Sequence, residues 1–259
     1  MNLGASGPVL AFPSIDLIAT TGQRTPCVLQ NRTIDVWGFS LDGSSAAAAQ
    51  CRAWLSEDER ARSIRFVRQD DQIRYVLAHG GLRALLASYA GLDPAHLSFQ
   101  SGPTGKPALL DGPVFAHSLR FNLSHSHGRM LIAVAREQDV GVDLEQLRDR
   151  IDVVKLAERF YTSDEYERVL RLSGSNQVRQ FYRYWVAKEA VLKGQGVGLR
   201  SLQQCGILTA EMPSRAVAQV SPDSAMLFGW TIQWIDCGTG WVGALAAPGG
   251  DWAVRAMTV

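Results

Sequence analysis

Long apolar runs are missing from this chain of 259 residues, and so is any excess of charge of one sign. No stretch approaches the roughly 18 consecutive apolar residues that would cross a bilayer. Pro8, Pro13 and Asp16 interrupt the apolar N-terminal stretch and the first basic residue is Arg24, so no secretory leader is expected. Lys plus Arg number 26 against 25 acidic residues, a net charge of +1. That balance gives no global pull toward nucleic acid or an anionic membrane, so any anion must be held by a local cluster. Cysteine is scarce: Cys27, Cys51, Cys205 and Cys237 lie far apart, with no CxxC pair and no zinc spacing. Neither a disulfide framework nor structural zinc is expected, and the cytoplasm is the simplest setting. A GxxxxGK[ST] phosphate loop is also absent.

What remains is ordinary globular composition, 46% hydrophobic and 20% charged. That is enough apolar material for a sizeable core, in one large domain or two small ones. Residues 1–33 read as an irregular arm. From there the order of elements repeats. Strands are predicted at Ile34–Phe39 and Val140–Glu145. Helix starts fall at Ser56, in an S-x-x-E capping box, and at Ser163. Long helices follow at Ile73–Ala90 and Gln177–Lys193, the second stopped by Gly194, Gly196 and Gly198. Hairpins are expected at Phe121–Ala135, turning at Ser126-His127-Gly128 with the positive φ at glycine, and at Trp230–Ala247. Corresponding positions lie 106 to 111 residues apart. The predicted fold is therefore α+β and pseudo-duplicated. Each half, 34–139 and 140–259, is a small antiparallel sheet packed with helices, and the site lies in the cleft between them.

Five segments could carry chemistry. In Gly141-Val-Asp143-Leu-Glu145, alternation along a strand puts both acids on one face. A divalent cation would relieve their repulsion, and an all-oxygen set suits Mg²⁺ or Mn²⁺. Trp185, Glu189 and Lys193 share one stripe of a helix. Ser124 and His125 end a strand and could donate to phosphate, although neighbours on a strand face opposite ways, which argues against a nucleophile–base pair. Arg60, Arg62, Arg65, Arg68 and Arg74 could grip a small polyanion. Thr104-Gly105-Lys106-Pro107 is a stiff loop against which a flat ring could dock. Taken singly, each segment has a plain reading at least as good: a solvated acidic strand, a surface Glu–Lys pair, polar turn residues, a solvated arginine face, an ordinary loop.

Taken in order, GKPAL, FNLSHSHG, GVDLE and WVAKEAVLK resemble the motif series of the 4′-phosphopantetheinyl transferases in their long, two-half form. The resemblance spans roughly Ile34 to Ala247. It implies transfer of 4′-phosphopantetheine from coenzyme A to a serine of an apo acyl or peptidyl carrier protein, with release of adenosine 3′,5′-bisphosphate. It implies a magnesium ion (manganese being the alternative) on Asp143, Glu145 and Glu189. Glu189 or a metal-bound water would take the serine proton. Lys193 would meet the leaving phosphate, and Lys188 the pyrophosphate. His125 and Arg74, helped by Arg65 and Arg68, would hold the nucleotide 3′-phosphate. Gly105, Lys106 and Pro107 would line the adenine side, with Ser124 on the same nucleotide. A carrier surface is expected over Leu147–Tyr161, where Ile151, Val153, Val154, Leu156 and Phe160 would either form an exposed apolar patch or pack in the core of the second half. His127 has no implied role. A monomer is expected, since two halves in one chain already form the cleft.

Two other readings compete: a metal-dependent phosphoester or pyrophosphate hydrolase, which would use the same acids, and a coenzyme A-binding scaffold without turnover, against which the presence of Asp143, Glu145, Glu189 and Lys193 together argues, since pure binding needs no metal set. Cleavage of coenzyme A without a carrier would mark the first. Nucleic-acid binding through the arginines lacks the charge and the interleaved aromatics it needs.

Overall fold

The computed structural model describes residues 7–19, 27–102, 105–110, 118–209, 214–220 and 229–258. Thr104 of the loop motif lies outside them. The first half runs α1 (Asp16–Ala19), β1 (Thr33–Ser40), α2 (Ser45–Trp54), α3 (Glu57–Ser63), α4 (Gln69–Ala90), β2 (Phe99–Ser101), β3 (Pro107–Leu109), β4 (Leu119–Ser126) and β5 (Arg129–Arg136). The second runs β6 (Gly141–Gln146), α5 (Val153–Phe160), α6 (Ser163–Leu170), α7 (Gly174–Gln195), β7 (Cys205–Thr209), β8 (Arg215–Val220), β9 (Trp230–Ile235), β10 (Trp241–Pro248) and β11 (Ala253–Met257). Among the described residues no helix is long and apolar enough to cross a membrane.

Two sheets carry the fold, ordered β11-β1-β5-β4 and β6-β10-β9-β8-β7. Helices cover one face of each. Alternation sends Trp37 and Phe39 of β1 into the first helical core, and Ile34 and Val36 into a central layer. That layer also holds Leu131 of β5, Val142 and Leu144 of β6, and Leu245 of β10. The sheets thus back onto each other, so the strands β1, β5, β6 and β10 are buried on both faces over most of their length.

The repeat expected from sequence is visible in local detail. Capping boxes open α3 at Ser56/Glu59 and α6 at Thr162/Glu165, so the second cap is Thr162 rather than Ser163. The long helices α4 and α7 each have 22 residues. They end on left-handed glycines, Gly91 and Gly196, so Gly194 is inside α7 rather than its stop. In the β4–β5 turn the positive φ, +50°, falls on His127 and not on glycine.

The chain ends break the two-way pattern. β11 lies parallel beside β1, so the last strand belongs to the first sheet and that sheet is not purely antiparallel. The pairing covers an edge that would otherwise be open. It also brings Arg255 to buried Asp35, with Nε and Nη2 each 2.7 Å from a carboxylate oxygen. The described part of the N-terminal arm is an ordered strap. Leu10 N donates to Asp236 O and Ser40 N to Pro13 O, tying the ends of β9 and β1.

One close approach positions the site. A Cβ on Gly141 would collide with the Ala190 carbonyl and the Gly194 amide, and one on Gly194 would enter the Trp230 ring. Two glycines therefore let α7 settle directly onto β6. Gly141→Ala is expected to push the helix off the strand and destabilise the protein by about 1–3 kcal/mol, read as a lower urea midpoint.

Candidate active site

β4 and β6 are the facing edges of the two sheets, and side chains stitch them together. On β4, Asn122, Ser124 and Ser126 point toward β6 and are buried. Asn122 Oδ1 accepts from Val142 N at 2.8 Å. Ser124 Oγ donates to Asp143 Oδ1 at 2.8 Å, and Ser126 Oγ to Glu145 Oε2 at 2.8 Å. The i, i+2 period on both strands produces these two parallel rungs. From α7, Lys193 Nζ reaches Asp143 Oδ1 at 2.5 Å, Ser124 Oγ at 3.2 Å and Glu189 Oε2 at 3.8 Å. The spacing of Glu189 and Lys193 puts both on the face that meets β6.

Two buried carboxylates and a half-buried third thus gather around one ammonium whose side chain stays 31% exposed. Asp143 is 2% exposed and Glu189 6%. Burial, then the charge of Asp143, pushes the Glu189 carboxyl up to about 7, the Lys193 ammonium only partly offsetting this. Burial and Asp143 raise Glu145 too. Burial works against the Lys193 ammonium, but Asp143 and Glu189 outweigh it and hold its pKa above the ordinary value. Among the described residues no three His, Cys, Asp or Glu side chains form a ready metal cluster. The ammonium of Lys193 takes the place between Asp143 and Glu189. The donor chemistry nonetheless fits a hard cation. Asp143 Oδ2 is buried and has no hydrogen-bond partner, and three carboxylates against one ammonium leave negative charge uncompensated.

Comparison with known proteins settles the family. A model described as the 4′-phosphopantetheinyl transferase superfamily matches residues 139–233, and one described as 4′-phosphopantetheinyl transferase, N-terminal, matches residues 42–138. The 4′-phosphopantetheinyl transferase HetI of Nostoc sp. is 37% identical over 196 residues, 75% of this chain and 81% of that protein. The chain belongs to the 4′-phosphopantetheinyl transferases. Sfp of Bacillus subtilis is 29% identical over 188 residues, 69% of this chain and 81% of its own. Among solved structures, the Thermotoga maritima holo-[acyl-carrier-protein] synthase overlaps 43% of this chain and 62% of its own, at 20% identity and a TM-score of 0.35. The chain is therefore an enzyme of a family that transfers the phosphopantetheine group to carrier proteins.

The other residues singled out in this transferase are distributed as follows. His125 faces away from Ser124, on the α4 side of β4. Burial, then the nearby charges of His79 and Lys193, pushes its imidazole down toward about 4, a shift that its exposure to solvent moderates. It is neutral at neutral pH until an anion arrives. Arg74 pairs with Asp71 at 3.3 Å, and its charge bears on His127 in the β4–β5 turn. Arg65 and Arg68 are exposed between α3 and α4. Gly105 has φ +89°, and the Lys106 ammonium reaches the Gly194 carbonyl, so the Gly105–Pro107 loop abuts the end of α7 beside Lys193. Ser124 is not free to serve a nucleotide alone, since it already joins Asp143 to Lys193.

Of the two readings of the segment after the acids, the structure favours the core: Ile151, Val153, Val154, Leu156 and Phe160 pack against the second core, Val153 buried and the others partly so. One expectation is corrected. Lys188 does not face the carboxylates. It is fully buried, 2.6 Å from Glu165 Oε2, and donates to Leu202 O at 3.0 Å. The first half explains this: Glu59 of its capping box meets Arg83 of α4 at 2.8 Å. Lys188 is the second half's version of that brace. Lys188→Met, which strands Glu165, is expected to cost about 3–5 kcal/mol in urea unfolding. The double variant Glu165→Gln/Lys188→Met should regain most of that stability, and calorimetry should find its coenzyme A affinity within twofold of wild type.

Proposed function

We propose that this transferase moves 4′-phosphopantetheine from coenzyme A to a serine hydroxyl of an apo acyl or peptidyl carrier protein, releasing adenosine 3′,5′-bisphosphate. The observation that carries the proposal is the unpartnered Asp143 Oδ2 beside Glu145 and Glu189 at the β4–β6 seam. Asp143, Glu145 and Glu189 would hold Mg²⁺ together with pyrophosphate oxygens. Bound there, the ion supplies Lewis acidity toward the phosphoryl group and offsets its charge.

The chain's own groups do the rest by placement and charge. Glu189 would accept the carrier serine's proton. As the serine oxygen bonds to phosphorus, the bond to the adenosine bisphosphate oxygen breaks. Lys193 neutralises the charge left on that oxygen. The nucleophile comes from the partner, which is why the site needs no serine–histidine pair of its own. His125 and Arg74, with Arg65 and Arg68, hold the 3′-phosphate, and Gly105–Pro107 line the adenine. The anion raises the depressed pKa of His125, so binding should be accompanied by proton uptake on that ring.

Incubation with an apo carrier protein, coenzyme A and Mg²⁺ should add one phosphopantetheine to the carrier, read by intact-mass spectrometry. The gain should vanish with EDTA and fall at least about 10³-fold in Asp143→Ala, which removes a group that acts on the transition state. Coenzyme A cleavage without any carrier would instead establish a hydrolase. His125→Ala should weaken coenzyme A binding about tenfold while leaving dephospho-coenzyme A binding unchanged, as loss of one charged contact to the 3′-phosphate requires. Equal losses for both ligands would remove His125 from that role.

A further inference from the structure

The reading of Asp143, Glu145 and Glu189 as a cation site leaves open how Glu145 is kept aimed at it. A glutamate has three rotatable side-chain bonds, and Asp143 repels it while Lys193 and Arg148 attract it, so these charges alone do not fix which way Glu145 points. Its anchor lies on the other half of the molecule. Ser126, 7% exposed at the end of β4, donates its hydroxyl proton to Glu145 Oε2 at 2.8 Å. A hydroxyl has one proton, so its remaining capacity is as an acceptor. It takes Gln146 N at 3.4 Å, and the His127 Nδ1 lies 3.3 Å away. The hydroxyl is therefore fixed in direction from both sides. Ser124 does the same for Asp143 at the same 19-residue separation, and the oxygen it leaves free, Oδ2, is the unpartnered one. Each serine occupies one oxygen of its acid and leaves the other for a ligand.

We propose that Ser126 is a positioning residue that holds Glu145 in ligating orientation from across the seam, matching the Ser124–Asp143 rung. This rests on the transferase reading above and adds the residue that makes Glu145 a ligand rather than a solvated acid. Hydrogen-bond partners of metal ligands typically govern 10–100-fold in metal affinity.

The test compares Ser126→Thr with Ser126→Val, two side chains of one shape that differ in the hydroxyl. Mn²⁺ binding to the full-length protein with coenzyme A present is measured by calorimetry. Transfer to an apo carrier is measured across a Mg²⁺ titration, and thermal unfolding alongside. Ser126→Thr should bind Mn²⁺ within about threefold of wild type. Ser126→Val should bind about 10–100-fold more weakly, need correspondingly more Mg²⁺ for half-maximal transfer, and keep its KM for the carrier. Equal Mn²⁺ affinity in the two variants would overturn the proposal, whatever their thermal stability. Wild type that transfers normally and binds Mn²⁺ while the variants match it defeats only the role of Ser126. Wild type that binds no Mn²⁺ and makes no transfer defeats the cation site, and this proposal with it.

Discussion

Three acids and one lysine crowd together at the line where two sheets meet, Asp143 and Glu189 out of reach of water, and much of the surrounding structure serves to hold them there. Like charges at this range cost several kcal/mol when water is excluded, so the arrangement persists only because other features impose it. Gly141 and Gly194 let α7 touch β6, which lowers Glu189 and Lys193 onto the strand. Ser124 and Ser126 reach across from the other half to hold the two strand acids. The site therefore requires both halves, and neither could supply it alone.

The first half shows what the same scaffold does when it is fully compensated. Asp35 occupies on β1 the place that Asp143 occupies on β6, yet it meets Arg255 on one side and the Tyr89 hydroxyl, at 2.6 Å, on the other. Glu59 and Arg83 pair off, as do Glu165 and Lys188. A duplicated architecture thus has its cations and anions matched at three of these places. At the fourth, around Asp143, anions exceed cations. On the function proposed above, catalytic capacity resides in that imbalance, and the neutral twin makes it recognisable.

Alternation on a strand and the one-turn stripe of a helix made Asp143, Glu145, Glu189 and Lys193 legible in the sequence, because those periods fix which side chains share a face. Lys188 was misjudged for the complementary reason. It adjoins Glu189 in sequence, but successive helical residues point about 100° apart, and its side chain lies in the core. Ser126 was read as turn chemistry, since nothing local reveals a partner on another strand. β11 and the N-terminal strap escaped notice because short segments that pair through backbone groups need no periodic side-chain pattern. The α5 residues were apolar in either reading, and only the packing of α5 on α7 decides between core and surface.

If the cluster is strained by uncompensated charge, removing one charge should stabilise the protein, and only where that charge exists. Glu189 has a folded pKa of about 7, above the ordinary value of 4.5, so folding favours its protonated form. Its stabilising contribution is present below pH 4.5 and is lost as pH rises through 7. The decisive measurement is urea unfolding of wild type and Glu189→Gln, without divalent metal, at pH 5 and pH 8. The variant should be more stable than wild type at pH 8, by on the order of 1–3 kcal/mol, with the gap largely closed at pH 5. A variant that is less stable at pH 8, or a gap independent of pH, would contradict the account: Glu189 would then be an ordinary partner of Lys193 and the seam would hold no charge in want of a cation.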